Sequence, residues 1–200
     1  MDPKRIFDLL LSFCALIFFF PLFLLIALWI KFDSKGSVFY SQTRVGRKKV
    51  CFQLIKFRTM GAGADRQGLL TVGDRDNRIT RAGYFLRKYK LDELPQLFNI
   101  LRGDMSFVGP RPEVSKYVAL YNPAQQRVLS VRPGITDWAS IEYIDESELL
   151  AKAIDPEVFY LTDIIPEKLK KGLKYIDHKS LWTDLHIIAM TLKCLVMKHH

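Results

Sequence analysis

Residues Leu9 to Ile30 form a run of 22 residues that is apolar apart from Ser12. About 20 such residues suffice to cross the hydrocarbon of a bilayer as a helix, so the rest of the chain must fold beside a lipid-seeking segment. The run is too long for the core of a signal peptide, and no small-residue cleavage site follows it. Pro21 stands in its middle, where it deletes the hydrogen bond to the Ile17 carbonyl and bends a helix. Basic residues flank both ends: Lys4 and Arg5 before, Lys31 and Lys35 after, then Arg44, Arg47, Lys48 and Lys49. The positive-inside rule keeps both flanks in the cytoplasm. A straight span cannot satisfy that, whereas a helix that enters, bends at Pro21 and returns to the same face can. A re-entrant helix–break–helix over residues 1–35 and a straight span therefore both stand at this point.

The remaining residues, 36–200, are enough for one small domain. The chain carries a net charge of +9, which points to an anionic partner. The charge is uneven. Residues 1–60 hold ten Lys/Arg and three Asp/Glu, while residues 137–163 hold eight Asp/Glu against Lys152 alone. So sharp an acidic segment argues against a nucleic-acid binder. Cys14, Cys51 and Cys194 are widely spaced and odd in number, which gives neither a zinc nor a disulfide pattern. His178 and His186 are too far apart for zinc ligation on one helical turn. His199 and His200 read as a tag remnant.

The stretch around which the domain is organised runs from Lys90 to Leu101. Leu94, Leu97, Phe98 and Leu101 recur at helical spacing, and Pro95 is tolerated only in a first turn. A helix is expected from about Asp92, with Asp92 and Glu93 at its start. Asp92 then has two readings. It is an ordinary helix cap, or, with Arg81, Arg87, Arg102 and Arg111 nearby, the pair of carboxylates handles a phosphorylated substrate.

Ser37 to Gln42 and Val50 to Phe57 read as strands joined by a turn at Val45–Lys49, a short β-hairpin. Residues 61–73 read as a loop, in which Gly61-Ala62-Gly63 is too isolated a signal for a phosphate cradle. Helices are expected over Arg81–Lys90, Glu113–Ser130, Ile144–Tyr160 and Leu181–Met197. The last carries Leu181, Leu185, Ile188, Leu192 and Leu195 on one face, for a core or for the headgroup layer. Two turns set an arginine beside proline: Gly109-Pro110-Arg111-Pro112 and Val131-Arg132-Pro133-Gly134. Proline narrows the backbone on each side, and an arginine held that way suits a bidentate phosphate clamp; a plain buried turn is the alternative.

Four stretches taken together, Lys56-Phe57-Arg58-Thr59-Met60, Leu91 to Gln96, Gly103 to Pro112 and Arg132-Pro133-Gly134-Ile135-Thr136, resemble the monotopic phosphoglycosyl transferases, a bacterial sugar transferase family. The Lys4-Arg5-Ile6-Phe7-Asp8 opening before the apolar run is similar to that family too, so the resemblance covers nearly the whole chain. It implies an α+β fold, mostly helical, in which a small cytoplasmic domain with a short β-hairpin sits beside a re-entrant membrane helix and interfacial amphipathic helices. It implies a nucleotide-diphosphate sugar as donor, a UDP-sugar foremost, polyprenyl phosphate as acceptor, magnesium, and a place at the cytoplasmic face of the bacterial inner membrane. It further implies that Asp92 attacks the sugar-bearing phosphate, a nucleoside monophosphate leaves, and the phosphosugar passes to the lipid. Phe20-Pro21 departs from the usual Ser-Pro break, and Thr136-Asp137-Trp138-Ala139 from the usual Thr-Gly-Trp-Ala.

A carboxylate attacks a diphosphate only where the phosphates are neutralised and the oxygen is held in line. Asp92 is assigned as nucleophile, Glu93 as a partner for magnesium or substrate, and both as metal ligands. Arg87, Arg111 and Arg132 are assigned to phosphate, with Lys56 and Arg58 as further substrate contacts. Two rival readings exist. A glycosyltransferase using Asp74 and Asp76 on a metal would transfer the sugar alone and release a nucleoside diphosphate. A non-enzymatic lipid-binding scaffold would use residues 1–60 as a polybasic anchor. Neither the identity of the sugar nor the oligomeric state, for which a homodimer stays open, is fixed by the sequence.

Overall fold

The computed structural model describes residues 2–197 apart from Ala62, 65–67, Leu69, Asp74 and Arg75. Asp74 of the rival metal pair, Ala62 of the Gly-Ala-Gly stretch, and His199 and His200 thus lie outside the described residues.

The first element is a helix, α1 (Pro3–Asp33). Asp2 caps it by accepting the Lys4 amide, and Pro3 takes the first position, where a missing N–H costs nothing. The helix–break–helix expected over residues 1–35 is instead one continuous helix with Pro21 inside it. Proline removes one backbone bond, and packing carries the helix past it: Phe23, Ile26 and Ile30 are buried in a cluster with Phe57 and Leu86. At 31 residues, α1 is about 46 Å long, and both its ends are tied to the same body. At the start, Lys4 pairs with Asp184, Arg5 donates to the carbonyls of Ile100 and Leu101, and the buried Asp8 carboxylate accepts from Ser106 Oγ and the Phe107 amide. At the far end Asp33 accepts the Ala82 amide at 3.1 Å, and Arg58 donates to the carbonyls of Ser34 and Lys35. The opposite face leaves Leu10, Ile17, Phe18, Leu25 and Phe32 exposed.

The hairpin forms as expected, with β1 (Phe39–Val45) antiparallel to β2 (Cys51–Phe57) and Phe39 opposite Phe57. A second, parallel pair has no forewarning in the sequence: β3 (Ser106–Val108) beside β4 (Gly134–Thr136). It brings the two Arg–Pro turns back to back. A Cβ on Gly109 would lie 2.5 Å from the Arg132 carbonyl oxygen, and one on Gly134 would lie 2.2 Å from the Gly109 nitrogen. Only glycine permits that approach.

Between these sheets run α2 (Arg81–Lys88), a single 3₁₀ turn (Leu91–Glu93) and α3 (Gln96–Arg102). The long helices expected over 113–130 and 144–160 are broken up. Pro123 interrupts the first, leaving α4 (Ser115–Val118) and a 3₁₀ segment (Gln125–Ser130), with Asn122 and Gln125 each accepting the other's amide. Asp155-Pro156 interrupts the second: α6 (Glu146–Lys152) ends and α7 (Pro156–Phe159) starts afresh, with Asp155 capping it. Before them, α5 (Trp138–Glu142) is capped by Asp137, which accepts from the Ser140 amide and hydroxyl. The aspartate that departs from the usual glycine thus closes a helix start.

A π-helical turn (Tyr160–Ile164) leads into α8 (Ile165–Asp177), and α9 (Leu181–Met197) closes the described chain. Tyr160, Ile164, Ile165 and Leu169 join Tyr117, Tyr121 and Val128 in the largest core cluster. In α9 the apolar stripe only borders the face that packs inward, where Ile188 reaches the core. Asp184 and Ile187 are buried, while Leu181, Leu185 and Leu192 are exposed.

Candidate active site

Tyr89 follows the end of α2, and Lys90 takes a left-handed conformation (φ 54°) that turns the chain into the 3₁₀ turn carrying Asp92 and Glu93. This turn explains why the cap reading of Asp92 does not hold. Neither the 3₁₀ turn nor α3 receives a side-chain cap, and the residue before α3 is Pro95. Asp92 is 6% exposed, and its carboxylate accepts no hydrogen bond among the described residues; the nearest cation is Lys56, with Nζ 3.9 Å from Oδ2.

Glu93 is held quite differently. Arg111 grips it with both ends of its guanidinium, Nη1 to Oε2 at 2.8 Å and Nη2 to Oε1 at 2.6 Å. Lys56, reaching across from β2, donates to Oε1 at 2.9 Å. Arg111 Nη1 also donates to the Ile135 carbonyl. Such a fork–fork pair fixes geometry as well as charge.

The two neighbours are consequently driven apart in acidity. Burial pushes Asp92 up, Lys56 draws it down, and the Glu93 charge pushes it up again, so its carboxyl lies above the usual aspartate range. Burial acts on Glu93 in the same sense, but Arg111 and Lys56 outweigh it and hold that carboxyl well below its usual range. Arg87 is half-buried and adds positive charge on the Asp92 side.

Of the residues singled out in the sequence, Asp92, Glu93, Lys56, Arg87 and Arg111 are brought together. Arg58 and Arg132 are engaged elsewhere. Arg58 is buried and spends its guanidinium on carbonyls at the end of α1. Arg132 donates Nε–H to the Gly103 carbonyl at 2.7 Å, at the opposite end of α3 from the dyad. There it stands beside Arg5, whose two bonds go to Ile100 and Leu101. Last-turn carbonyls form the negative end of a helix, so cations are favoured there.

Two polar residues of α3 escaped the sequence reading, because the expected apolar face was Leu94, Leu97, Phe98 and Leu101. Gln96, Leu97, Asn99 and Ile100 are the buried positions, and Phe98 is 38% exposed. α3 is covered on two sides, by α1 and by β2, so no single stripe describes it. Asn99 ties it to β2, accepting the Ile55 amide at 3.0 Å and donating to the Gln53 carbonyl at 2.7 Å. The only advance signal was the presence of amides in a helix otherwise rich in leucine.

A family model described as "Bacterial sugar transferase" matches residues 2–198. A UDP-N-acetylgalactosamine-undecaprenyl-phosphate N-acetylgalactosaminephosphotransferase of Aeromonas hydrophila is 36% identical over 196 residues, which cover 96% of this chain and 43% of that protein. An undecaprenyl-phosphate glucose phosphotransferase of Komagataeibacter xylinus is 38% identical over 200 residues, 96% of this chain and 36% of the relative. A UDP-glucose:undecaprenyl-phosphate glucose-1-phosphate transferase of Caulobacter vibrioides is 34% identical over 196 residues, and 69% of it is covered. The chain thus spans roughly two fifths of the length of the first two relatives.

Proposed function

This chain belongs to the bacterial sugar transferase family, and from that premise we propose that it is a phosphoglycosyl transferase moving a phosphosugar from a UDP-sugar to polyprenyl phosphate. Such a transfer is the first membrane step of polysaccharide or glycoconjugate assembly. The observation that carries the mechanism is the unequal treatment of two adjacent buried carboxylates. Glu93 has both oxygens engaged by Arg111 and Lys56, while the Asp92 carboxylate accepts no hydrogen bond among the described residues. A carboxylate with an elevated pKa and free lone pairs is the better nucleophile of the two.

In the first step an Asp92 oxygen bonds to the sugar-bearing phosphorus. The P–O bond to the nucleoside monophosphate breaks, and the leaving group departs with the electron pair. In the second step an oxygen of the lipid phosphate bonds to the same phosphorus and Asp92 leaves as a carboxylate. No proton need move in either step. Lys56, Arg87 and Arg111 surround the dyad with positive charge, which offsets the repulsion between carboxylate and diphosphate. Glu93 holds Arg111 and Lys56 in place next to Asp92.

Magnesium fits this site in its chemistry. It binds oxygen, retains several waters and needs only one or two carboxylates. Asp92 would be its main protein ligand, since Glu93 is already engaged. When bound, magnesium would supply further neutralisation of the diphosphate.

The membrane reading rests on α1. Its two ends are fastened to one body, so a straight crossing would tear one end from its partners. We read α1 as embedded from one face, with its exposed apolar side and the exposed stripe of α9 in the lipid, and the catalytic domain on the cytoplasmic face. With the native cysteines replaced, labels placed before Lys4 and after Lys35 should both react from the cytoplasmic side; reaction from opposite sides would mean a straight span.

The reaction itself is tested by its leaving group. Nucleotide sugars, magnesium and polyprenyl phosphate together should yield a nucleoside monophosphate. Release of a nucleoside diphosphate would mean transfer of the sugar alone.

A further inference from the structure

Gln96 lies four residues after Asp92 and is 0% exposed, yet neither its amide nitrogen nor its amide oxygen has a hydrogen-bond partner among the described residues. Buried amides in native interiors are paired, and leaving one unpaired costs stability. The position of this amide is bracketed on both sides. One turn further along α3, Asn99 is bonded to Gln53 and Ile55 of β2. One turn earlier, Glu93 is bonded to Lys56 of the same strand. Residues three and four apart share a helix face, and helical side chains lean toward the N-terminus. Gln96 therefore stands in the seam between α3 and β2, leaning toward the turn that carries Asp92.

Two buried polar groups on consecutive turns thus lack hydrogen bonds at once, the Asp92 carboxylate and the Gln96 amide, and they do not bond each other. A carboxylate offers only acceptors and an amide offers donors as well. A phosphoryl group meets both, presenting phosphorus to the carboxylate and oxygen to the N–H.

We propose that Gln96 is a substrate-binding residue of the transfer site, its Nε2–H donating to a non-bridging oxygen of the phosphoryl group that Asp92 attacks. This rests on the transferase reading above. As charge accumulates on that oxygen during attack, the hydrogen bond strengthens, so its contribution falls mainly on the rate of the first step.

The test uses the full chain in detergent or nanodiscs, with UDP-sugar and magnesium but no lipid acceptor, and follows nucleoside monophosphate release in a single turnover. Gln96→Met keeps the length and removes a buried amide that has no partner, so its melting temperature should stay level or rise. Its first-step rate should fall by about 100-fold, the order seen when one donor to a developing oxyanion is removed. Gln96→Glu keeps the shape and an acceptor but loses the N–H, and should lose the step as fully. If either variant folds and releases monophosphate within about three-fold of the wild-type rate, the assignment is overturned, and Gln96 holds only a buried water. A wild-type protein that releases no monophosphate would overturn the transferase reading instead.

Discussion

The two ends of α3 are both ringed by arginine, and the arginines have different tasks. At the far end Arg5 and Arg132 donate to the carbonyls of Ile100, Leu101 and Gly103. Those acceptors are backbone, fixed as long as the helix exists, and the bonds fasten α1 and the Arg132–Pro133 turn to α3. At the near end Arg111 and Lys56 donate to a side-chain carboxylate, and they leave the neighbouring carboxylate almost bare. Cations spent on backbone alone build a scaffold, whereas Arg111, although it also donates to the Ile135 carbonyl, and Lys56 are paired with a carboxylate that an arriving phosphate can compete with. The same residue type beside proline thus pairs with a carboxylate in one turn and with a backbone carbonyl in the other.

If that division is right, substitutions at the near end act on turnover and those at the far end on stability. The largest effect belongs to Asp92→Asn, which should reduce turnover to background. Because burial raises the Asp92 carboxyl, its charged form is disfavoured in the fold, and this group's contribution to stability is lost as pH rises through its folded value. The Asn protein should thus melt no lower than wild type at neutral pH, and the gap should close as pH falls.

Next comes Arg111→Lys, which keeps the charge and loses the fork. Steady-state assays should show a loss of about 100-fold with the fold intact. Equal activity would move the clamp to Arg87.

Glu93→Gln should slow turnover less and cost about 2 kcal/mol of stability, because it leaves Arg111 and Lys56 without their shared carboxylate. Its pH signature is opposite to that of Asp92. The folded carboxyl is depressed, so its contribution is present above the ordinary glutamate range and is lost as pH falls toward the folded value. Thermal melts of wild type and Gln variant should converge in acid.

The smallest effect is expected of Arg132→Lys, about 1 kcal/mol of stability for one weakened hydrogen bond, with turnover little changed. A loss as large as that of Arg111→Lys would erase the distinction between the ends of α3, and would show that Arg132 leaves Gly103 to reach the substrate.

Much of this could be read in advance, and the misses have physical causes. The apolar run, the hairpin and the helices at Arg81 and Leu181 are local patterns, and they formed. Pro123 and Pro156 divided two long helices because each removes a backbone bond, and no buried face like that beyond Pro21 in α1 carries those helices past the break. The β3–β4 pair joins strands of three residues some 28 positions apart, too short to leave a pattern. At the site, Asp92, Glu93, Arg111 and Lys56 were legible because motifs place charge near charge. That Arg58 and Arg132 bond carbonyls at the ends of α1 and α3 was not legible, because sequence shows a cation but not which carbonyls lie within its reach. Gln96 and Asn99 went unnoticed because α3 is buried on two sides, and the single-stripe expectation has no place for an inward amide.

The central claim, that Asp92 is the nucleophile, is tested most directly by intact mass. Wild-type protein given UDP-sugar and magnesium without acceptor should gain the mass of one phosphosugar, labile to hydroxylamine, mapping to the peptide that contains Asp92 and discharged by polyprenyl phosphate. Turnover with no adduct at any time, or an adduct on Glu93 or Asp104, would contradict it.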